Sequence, residues 1–229
     1  RDRSPSRGLG DVYKRQDPYY RVYNLTTNTF SDGATSFYHK AIGGYHAAKL
    51  GRYQELIEHQ ISKGNEQVLN MLNAKYYIVP GENRQPQAHL NPDALGNGWF
   101  VEEIKWVNNA NEEMSALDHF DPSKTAVIDK RFSSIFDTQN ISADSTASVK
   151  LTSYNPEELR YAVSSQKGGV VVFSEIYYPH GWKATVDGIE TPIARTDYVL
   201  RAIYVPAGNH EVITVSYTHL RAHETDSYL

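Results

Sequence analysis

Residues 168–213 read GGVVVFSEIYYPHGWKATVDGIETPIARTDYVLRAIYVPAGNHEVI, and this stretch decides the fold. Residues 170–173 form a continuous apolar run, which is typical of a strand that is buried on both faces. Apolar and polar side chains alternate over residues 182–187, which is the period of a half-buried strand. A tight turn follows at Asp187-Gly188, and residues 198–205 predict another strand. The stretch therefore predicts an antiparallel β-sandwich.

The two ends of the chain are related to each other as coding sequences. DVYKRQ (residues 11–16) can be encoded by a DNA string whose reverse complement, in a shifted frame, gives VSYTHL (residues 215–220). The relation extends further outward on both sides, which argues against chance. We therefore interpret residues 1–16 and 214–229 as sequencing adapter read through as protein, and exclude them from the fold and the site. On this interpretation the chain is an internal fragment of a longer protein.

Composition limits the function of residues 17–213, a length that suits one large domain or two small ones. This part has 17 Lys and Arg against 23 Asp and Glu, a net charge of -6, and no basic stripe. We therefore expect no nucleic-acid partner. The chain has no cysteine, which excludes a disulfide framework and thiolate chemistry. No apolar run approaches the roughly 18 residues of a membrane span.

The predicted fold class is α+β, with a small helical α/β lobe at 17–145 followed by an antiparallel, jelly-roll-like β-sandwich at 146–213. The polar segment 133–145 is the predicted domain boundary. The lobe's predicted elements are strands at 20–25, 76–79, 99–107 and 125–128, a helix from Tyr45 to about Ile61, a helix at 66–73 capped by Asn65, a helix at 111–119, and a loop at 81–98. Further sandwich strands are predicted at 147–152 and 159–164.

A glycine pair before the first predicted helix is the most suggestive feature for binding. Free backbone N–H groups and the positive end of a helix dipole favour an anion at such a position. The nearby basic side chains are candidate contacts to a phosphate: His39, Lys40, His46, Lys49 and Arg52. The alternative is a solvated loop in which the glycines only make a turn, because the spacing matches no established phosphate motif.

No catalytic residue, metal site or cofactor is predicted. The histidines lack the spacing of metal ligands, and no Gly-x-Ser-x-Gly elbow is present for acyl transfer. Glu175 and Asp197 lie on or beside predicted strands and could form a carboxylate pair for glycoside hydrolysis, although any two acids of a sheet could do so.

Aromatic side chains in the sandwich are candidates for holding a sugar ring. Tyr177, Tyr178 and Trp182 could form a platform on which a sugar stacks, together with Tyr198. The alternative is that Trp182 and Tyr198 belong to the core, which the alternation favours.

Four stretches resemble one protein family. They are YRVYNLTTNTFSDGATSFYHKAIGGYHAAKLGRYQELI (20–57), VLNMLNAKYYIV (68–79), FSEIYYPHGWKATVDG (173–188) and DYVLRAIYVPAGNH (197–210). Together they resemble the extracytoplasmic C-terminal part of YfhO-type bacterial membrane proteins. The first stretch is the more specific, whereas a strand pair like the last two recurs in several membrane glycosyltransferase ectodomains.

The resemblance implies a polytopic membrane protein akin to the GT-C glycosyltransferases, which use a polyprenyl-phosphate sugar outside the cytoplasmic membrane. Their catalytic acid lies near N-terminal membrane spans, so no catalytic residue transfers to this chain. The expected partners are the membrane-embedded remainder of the same polypeptide and a polyprenyl-phosphate sugar or glycan acceptor, at the periplasmic face of the membrane. The alternatives are a free-standing carbohydrate-binding module and a structural scaffold of the cell envelope.

Overall fold

A computed structural model of the chain describes residues 19–28, 35–36, 39–43, 50–81, 85–136, 141–142, 144–179 and 181–216. The helices in these ranges are α1 (Gly51–His59), α2 (Glu66–Met71) and α3 (Ala110–Ala116), with 3₁₀ turns at Ile61–Lys63, Leu117–His119 and Lys130–Ile135. The strands are β1 (Arg21–Asn24), β2 (Ala74–Pro80), β3 (Pro86–Leu90), β4 (Gly98–Phe100), β5 (Glu103–Val107), β6 (Thr125–Asp129), β7 (Ser148–Asn155), β8 (Glu158–Ser165), β9 (Gly169–Ile176), β10 (Trp182–Val186), β11 (Ile189–Thr191), β12 (Ala194–Thr196), β13 (Leu200–Val205) and β14 (Gly208–Ser216).

The described strands form three sheets. One has five antiparallel strands in the order β11-β10-β14-β8-β7. A second has six strands in the order β4-β9-β13-β12-β6-β5, of which β5 and β6 are parallel. The third has the order β1-β2-β3, with β1 parallel to β2. This arrangement confirms the predicted α+β class and the β-sandwich.

Strand β9 is buried on both faces, as its apolar run predicts. Val171 and Phe173 pack with β8, β10, β13 and β14 in the core between the five- and six-stranded sheets. Val170 and Val172 point the other way, into a larger core that contains α1, α2 and β6. The six-stranded sheet is therefore the middle layer, with the helices on its second face.

The residue that precedes a helix accounts for where α1 and α2 begin. Asn65 caps α2, because its side chain accepts from the backbone N–H groups of Gln67 at 3.1 Å and Val68 at 3.3 Å. This confirms the predicted cap. Helix α1 begins at Gly51, because Leu50 has extended backbone angles. Residues 44–49 lie outside the described part of the chain.

Two predicted elements are wrong. The predicted loop at 81–98 contains β3, which pairs with β2; the side chains of β3 are mostly exposed, so no apolar period reveals it. The predicted single strand at 99–107 is two strands. The backbone leaves β4 after Phe100, and β4 and β5 lie at opposite edges of the six-stranded sheet.

The six-stranded sheet crosses the position of the predicted domain boundary. Strands β4, β5 and β6 come from the predicted lobe, whereas β9, β12 and β13 come from the predicted sandwich. The two regions therefore share one sheet. Strand β14 continues to Ser216, which pairs with Trp182, so three residues assigned to the adapter by sequence lie in this strand.

Candidate functional site

A cavity of about 400 Å³ opens beside the start of α1. Its opposite walls come from the 3₁₀ turn after β6, from residues 176–179 and from the β12–β13 connection. Three arginines and four aromatic residues line the cavity: Arg52, Arg131, Arg195, Tyr53, Phe132, Tyr177 and Tyr198. The cavity thus combines positive charge with flat apolar surfaces.

Glu113, on α3, binds two of these arginines through its carboxylate. Its carboxylate is fully buried. It accepts hydrogen bonds from Arg52 Nη1 at 2.9 Å, from Arg195 Nη2 at 3.4 Å and from the backbone N–H of Tyr198 at 3.1 Å. One negative charge is therefore shared by two guanidinium groups, which it also holds in fixed orientations.

Tyr198 occupies the centre of the β12–β13 connection. Its φ angle is 71°, in the left-handed region that non-glycine residues seldom adopt. Its hydroxyl donates a hydrogen bond to Glu55, and the Arg52 guanidinium lies 4.2 Å from its ring centroid. These contacts and the Glu113 bond hold the ring against the cavity.

Asp197 precedes Tyr198 and is completely buried, with a φ angle of 48°. Its Oδ1 accepts from the backbone N–H of Val127 in β6 at 2.7 Å. Burial raises the pKa of this carboxyl to about 7, although that hydrogen bond favours the charged form. The connection is therefore tied to the sheet by a side chain that titrates near neutrality.

Arg195 is almost buried, whereas Arg131 is exposed. Burial lowers the pKa of Arg195, whose guanidinium lies 5.7 Å from the Phe132 ring centroid. The Arg131 side chain is 59% exposed and its Nη2 lies 2.9 Å from Asp129 Oδ2. Burial alone would raise the pKa of Asp129, but hydrogen bonds from Arg131 lower it below its ordinary value.

Of the five basic residues that the sequence groups together, the structure places Lys40 and Arg52 apart from each other. Arg52 lines the cavity. Lys40 packs elsewhere, with its Nζ 3.2 Å from the ring centroid of Tyr154. Partial burial lowers the pKa of His39 below its ordinary value. His46 and Lys49 lie outside the described residues.

The three residues of the predicted sugar platform share a second, smaller groove of about 140 Å³. Tyr177 lines both this groove and the cavity, and Tyr178 is 40% exposed. Trp182 packs partly against the sandwich core, and the Arg201 guanidinium lies 3.9 Å from its ring centroid. The structure thus brings the platform together at one place, and its binding of sugar stays a prediction.

The carboxylates considered for hydrolysis have separate partners. Asp197 bonds to the backbone of β6, as above, whereas Glu175 lies 3.7 Å from Arg21. Among the described residues, no group of three or more His, Cys, Asp or Glu side chains is placed to hold a metal ion.

Sequence reasoning missed the residues that complete the site: Glu113, Arg131, Arg195 and Arg201. The Arg201 position carries a usable signal, because it is a charge inside the predicted strand 198–205 with apolar neighbours. Arg195 carries none, since it lies outside the predicted strands and is followed by Thr196. Glu113 carries no such signal. Its helix reads ANEEMSA, and this mostly polar sequence does not show which of the two adjacent acids is buried.

A comparison with known families finds a match for one segment of the chain. Residues 137–219 match the model of the family described as bacterial membrane protein YfhO. This segment contains β7 to β14, so the α+β fold with its arginine-lined cavity includes a YfhO-type bacterial membrane protein region. No curated protein and no solved structure matches the chain. Within the described residues, no helix has the length and apolar character needed to cross a membrane.

Proposed function

We propose that residues 17–213 are a non-catalytic extracytoplasmic domain of a membrane protein that handles lipid-linked sugars, and that the cavity binds the phosphate of the donor. The observation that carries this proposal is the set of three arginines around the cavity. Among the described residues that line it, none is acidic. The family match supports the membrane context, and the sequence resemblance supports the class of ligand.

The arrangement of the guanidinium groups suits a phosphate. Planar guanidinium groups bind phosphate oxygens through paired N–H donors, and Glu113 fixes two of them before any ligand arrives. Arg131 is the most exposed of the three, and Asp129 holds its guanidinium at the rim of the cavity. Preorganised donors lose little conformational entropy on binding.

The apolar part of the cavity suits what is attached to the phosphate. Leu50, Phe132, Ile176 and Val199 line it, and Leu50 is 40% exposed at its rim. Burial of an isoprenoid methylene is worth about 0.8 kcal/mol, so a few such contacts add usefully to the phosphate bonds. The neighbouring groove with Tyr177, Tyr178 and Trp182 is the proposed place for an acceptor glycan.

The domain's role on this proposal is to hold ligands at the periplasmic face, while the chemistry belongs to the membrane-embedded remainder of the polypeptide. The test uses membranes that contain the intact parent protein and a radiolabelled polyprenyl-phosphate sugar. Arg52→Gln is expected to raise the KM for the donor about tenfold with kcat unchanged, because it removes a charge-assisted bond made in the bound ground state.

The matched control is Arg160→Gln, which removes an arginine paired with Glu158 on the five-stranded sheet. It should leave both constants unchanged. Equal kinetics for Arg52→Gln and the wild type, at equal amounts of inserted protein, would remove the cavity from donor binding.

A further inference from the structure

Arg201 lies beneath the smaller groove and is almost completely buried, with 4% exposure. Its Nε donates to the carbonyl of Ile176 at 2.9 Å. Its Nη1 is also buried, and within the described part of the chain it has no hydrogen-bond partner. A charged donor left without a partner away from water costs free energy, so an unfilled donor at the base of a groove points to a ligand.

The charges around Arg201 indicate how much negative charge the ligand carries. At the rim, Lys183 Nζ lies 3.2 Å from Glu190 Oε2, so these two charges offset each other. Behind it, Glu175 is paired with Arg21. Burial lowers the pKa of Arg201 only to about 10, so it stays charged at neutral pH. One positive charge therefore remains, which matches a monoanion better than a phosphate dianion.

The rest of the groove suits a sugar ring. Tyr178 lines the groove and is 40% exposed, Tyr177 lines it as well, and Trp182 covers the Arg201 guanidinium from one side. Aromatic faces hold the apolar side of a pyranose. A volume of about 140 Å³ leaves room for a single ring and not for several.

We infer that this groove binds a sugar that carries a carboxylate, of the hexuronic acid class. The ring stacks on Tyr178, and the carboxylate accepts hydrogen bonds from the Arg201 guanidinium. This inference rests on the proposal that the groove is the acceptor-glycan site, and it adds the charge and size of the sugar that the groove selects.

The test is calorimetric titration of the full chain with methyl glucuronide, with neutral methyl glucoside, and with glucose 6-phosphate. The glucuronide is expected to bind about tenfold more tightly than the glucoside, because one charge-assisted hydrogen-bonded contact is gained. Glucose 6-phosphate is expected to bind more weakly than the glucuronide. Tyr178→Ala should weaken glucuronide binding about fivefold through loss of ring contact.

Tyr178→Ala is the informative variant, because Tyr178 is exposed whereas replacing buried Arg201 would disturb the fold. Ile189→Ala is its control, since Ile189 is 75% exposed in β11 and does not line the groove. Equal affinity for glucuronide and glucoside, or tighter binding of the phosphate, would overturn the carboxylate assignment alone. Absence of binding by all three sugars, or binding that Tyr178→Ala leaves unchanged, would overturn sugar binding in the groove as well.

Discussion

Glu113 shows how a single buried side chain can set the geometry of a site. Replacing it with Gln keeps its shape and one acceptor but leaves the charges of Arg52 and Arg195 without their counter-charge. We expect the free energy of unfolding to fall by about 3 kcal/mol, because removing one partner of a buried ion pair leaves the opposite charges without compensation. Urea denaturation at pH 7 measures this.

Glu102→Gln is the control for that prediction, since Glu102 is exposed. Its effect should stay within about 0.5 kcal/mol. A loss of the same size in both variants would show that the Glu113 network does not stabilise the fold.

Asp197 makes stability depend on pH. Burial raises its pKa from 3.8 to about 7, so the folded chain keeps a proton that the unfolded chain releases. This contribution is fully present below pH 4 and is lost as the pH rises toward 7. Asp197→Asn keeps the acceptor for Val127 and tolerates the left-handed φ angle. Because Asn does not titrate, the stability of Asp197→Asn relative to the wild type should be higher at pH 8 than at pH 5.

Urea midpoints of the two proteins at both pH values provide the measurement. A difference in stability between the wild type and Asp197→Asn that is the same at pH 5 and at pH 8 would contradict a raised pKa at this position.

At the residue scale, the sequence predicts only part of the site. Arg52 is a candidate because it follows a glycine pair at a helix start, and the structure places it on the cavity. Its partners cannot be predicted in this way, because Glu113 lies 61 residues from Arg52, 82 from Arg195 and 85 from Tyr198. Only the packing of α3 against the β12–β13 connection brings them together.

At the scale of elements, the turn at Asp187-Gly188 is predicted from two residues and confirmed by the structure. Both have positive φ angles, 50° and 81°, as the hairpin between β10 and β11 requires. Gly188→Ala should destabilise the chain by about 1 kcal/mol, because a residue with a Cβ disfavours the positive φ angle of this position. The added Cβ would meet no atom within 4 Å, so no steric clash contributes.

Gly51→Ala is the matched control. An added Cβ at Gly51 also meets nothing within 4 Å, but Gly51 lies in α1 without a positive φ angle. Alanine there should stabilise the chain by about 0.5 kcal/mol. Thermal or urea unfolding compares the two, and destabilisation by both substitutions would contradict the conformational explanation.

Other elements differ in how well the sequence reveals them. Strand β9 is predictable because Val170 and Val172 face one core while Val171 and Phe173 face the other. Strand β3 is not predictable, because its residues are mostly exposed and it is fixed by backbone pairing with β2. The break between β4 and β5 is invisible as well, since Val101 continues the apolar alternation and is itself buried.

At the scale of the whole molecule, the sheet that unites the two halves also builds the site. Arg195 and Tyr198 come from the segment 137–219 that matches the YfhO family model, whereas Arg52, Glu113 and Arg131 come from the part of the chain before it. The cavity therefore exists only when both halves fold together. Sequence predicts the two regions and their class, but the shared six-stranded sheet depends on pairings between distant strands.

The most direct test of the donor-phosphate cavity is calorimetric titration of the full chain with a short-chain prenyl phosphate and with the prenyl alcohol of the same length. The phosphate should bind about tenfold more tightly than the alcohol, and Arg52→Gln should remove that difference while leaving alcohol binding unchanged. Equal binding of phosphate and alcohol by the wild type, or binding of neither, would contradict the assignment of the cavity to a lipid-linked phosphate.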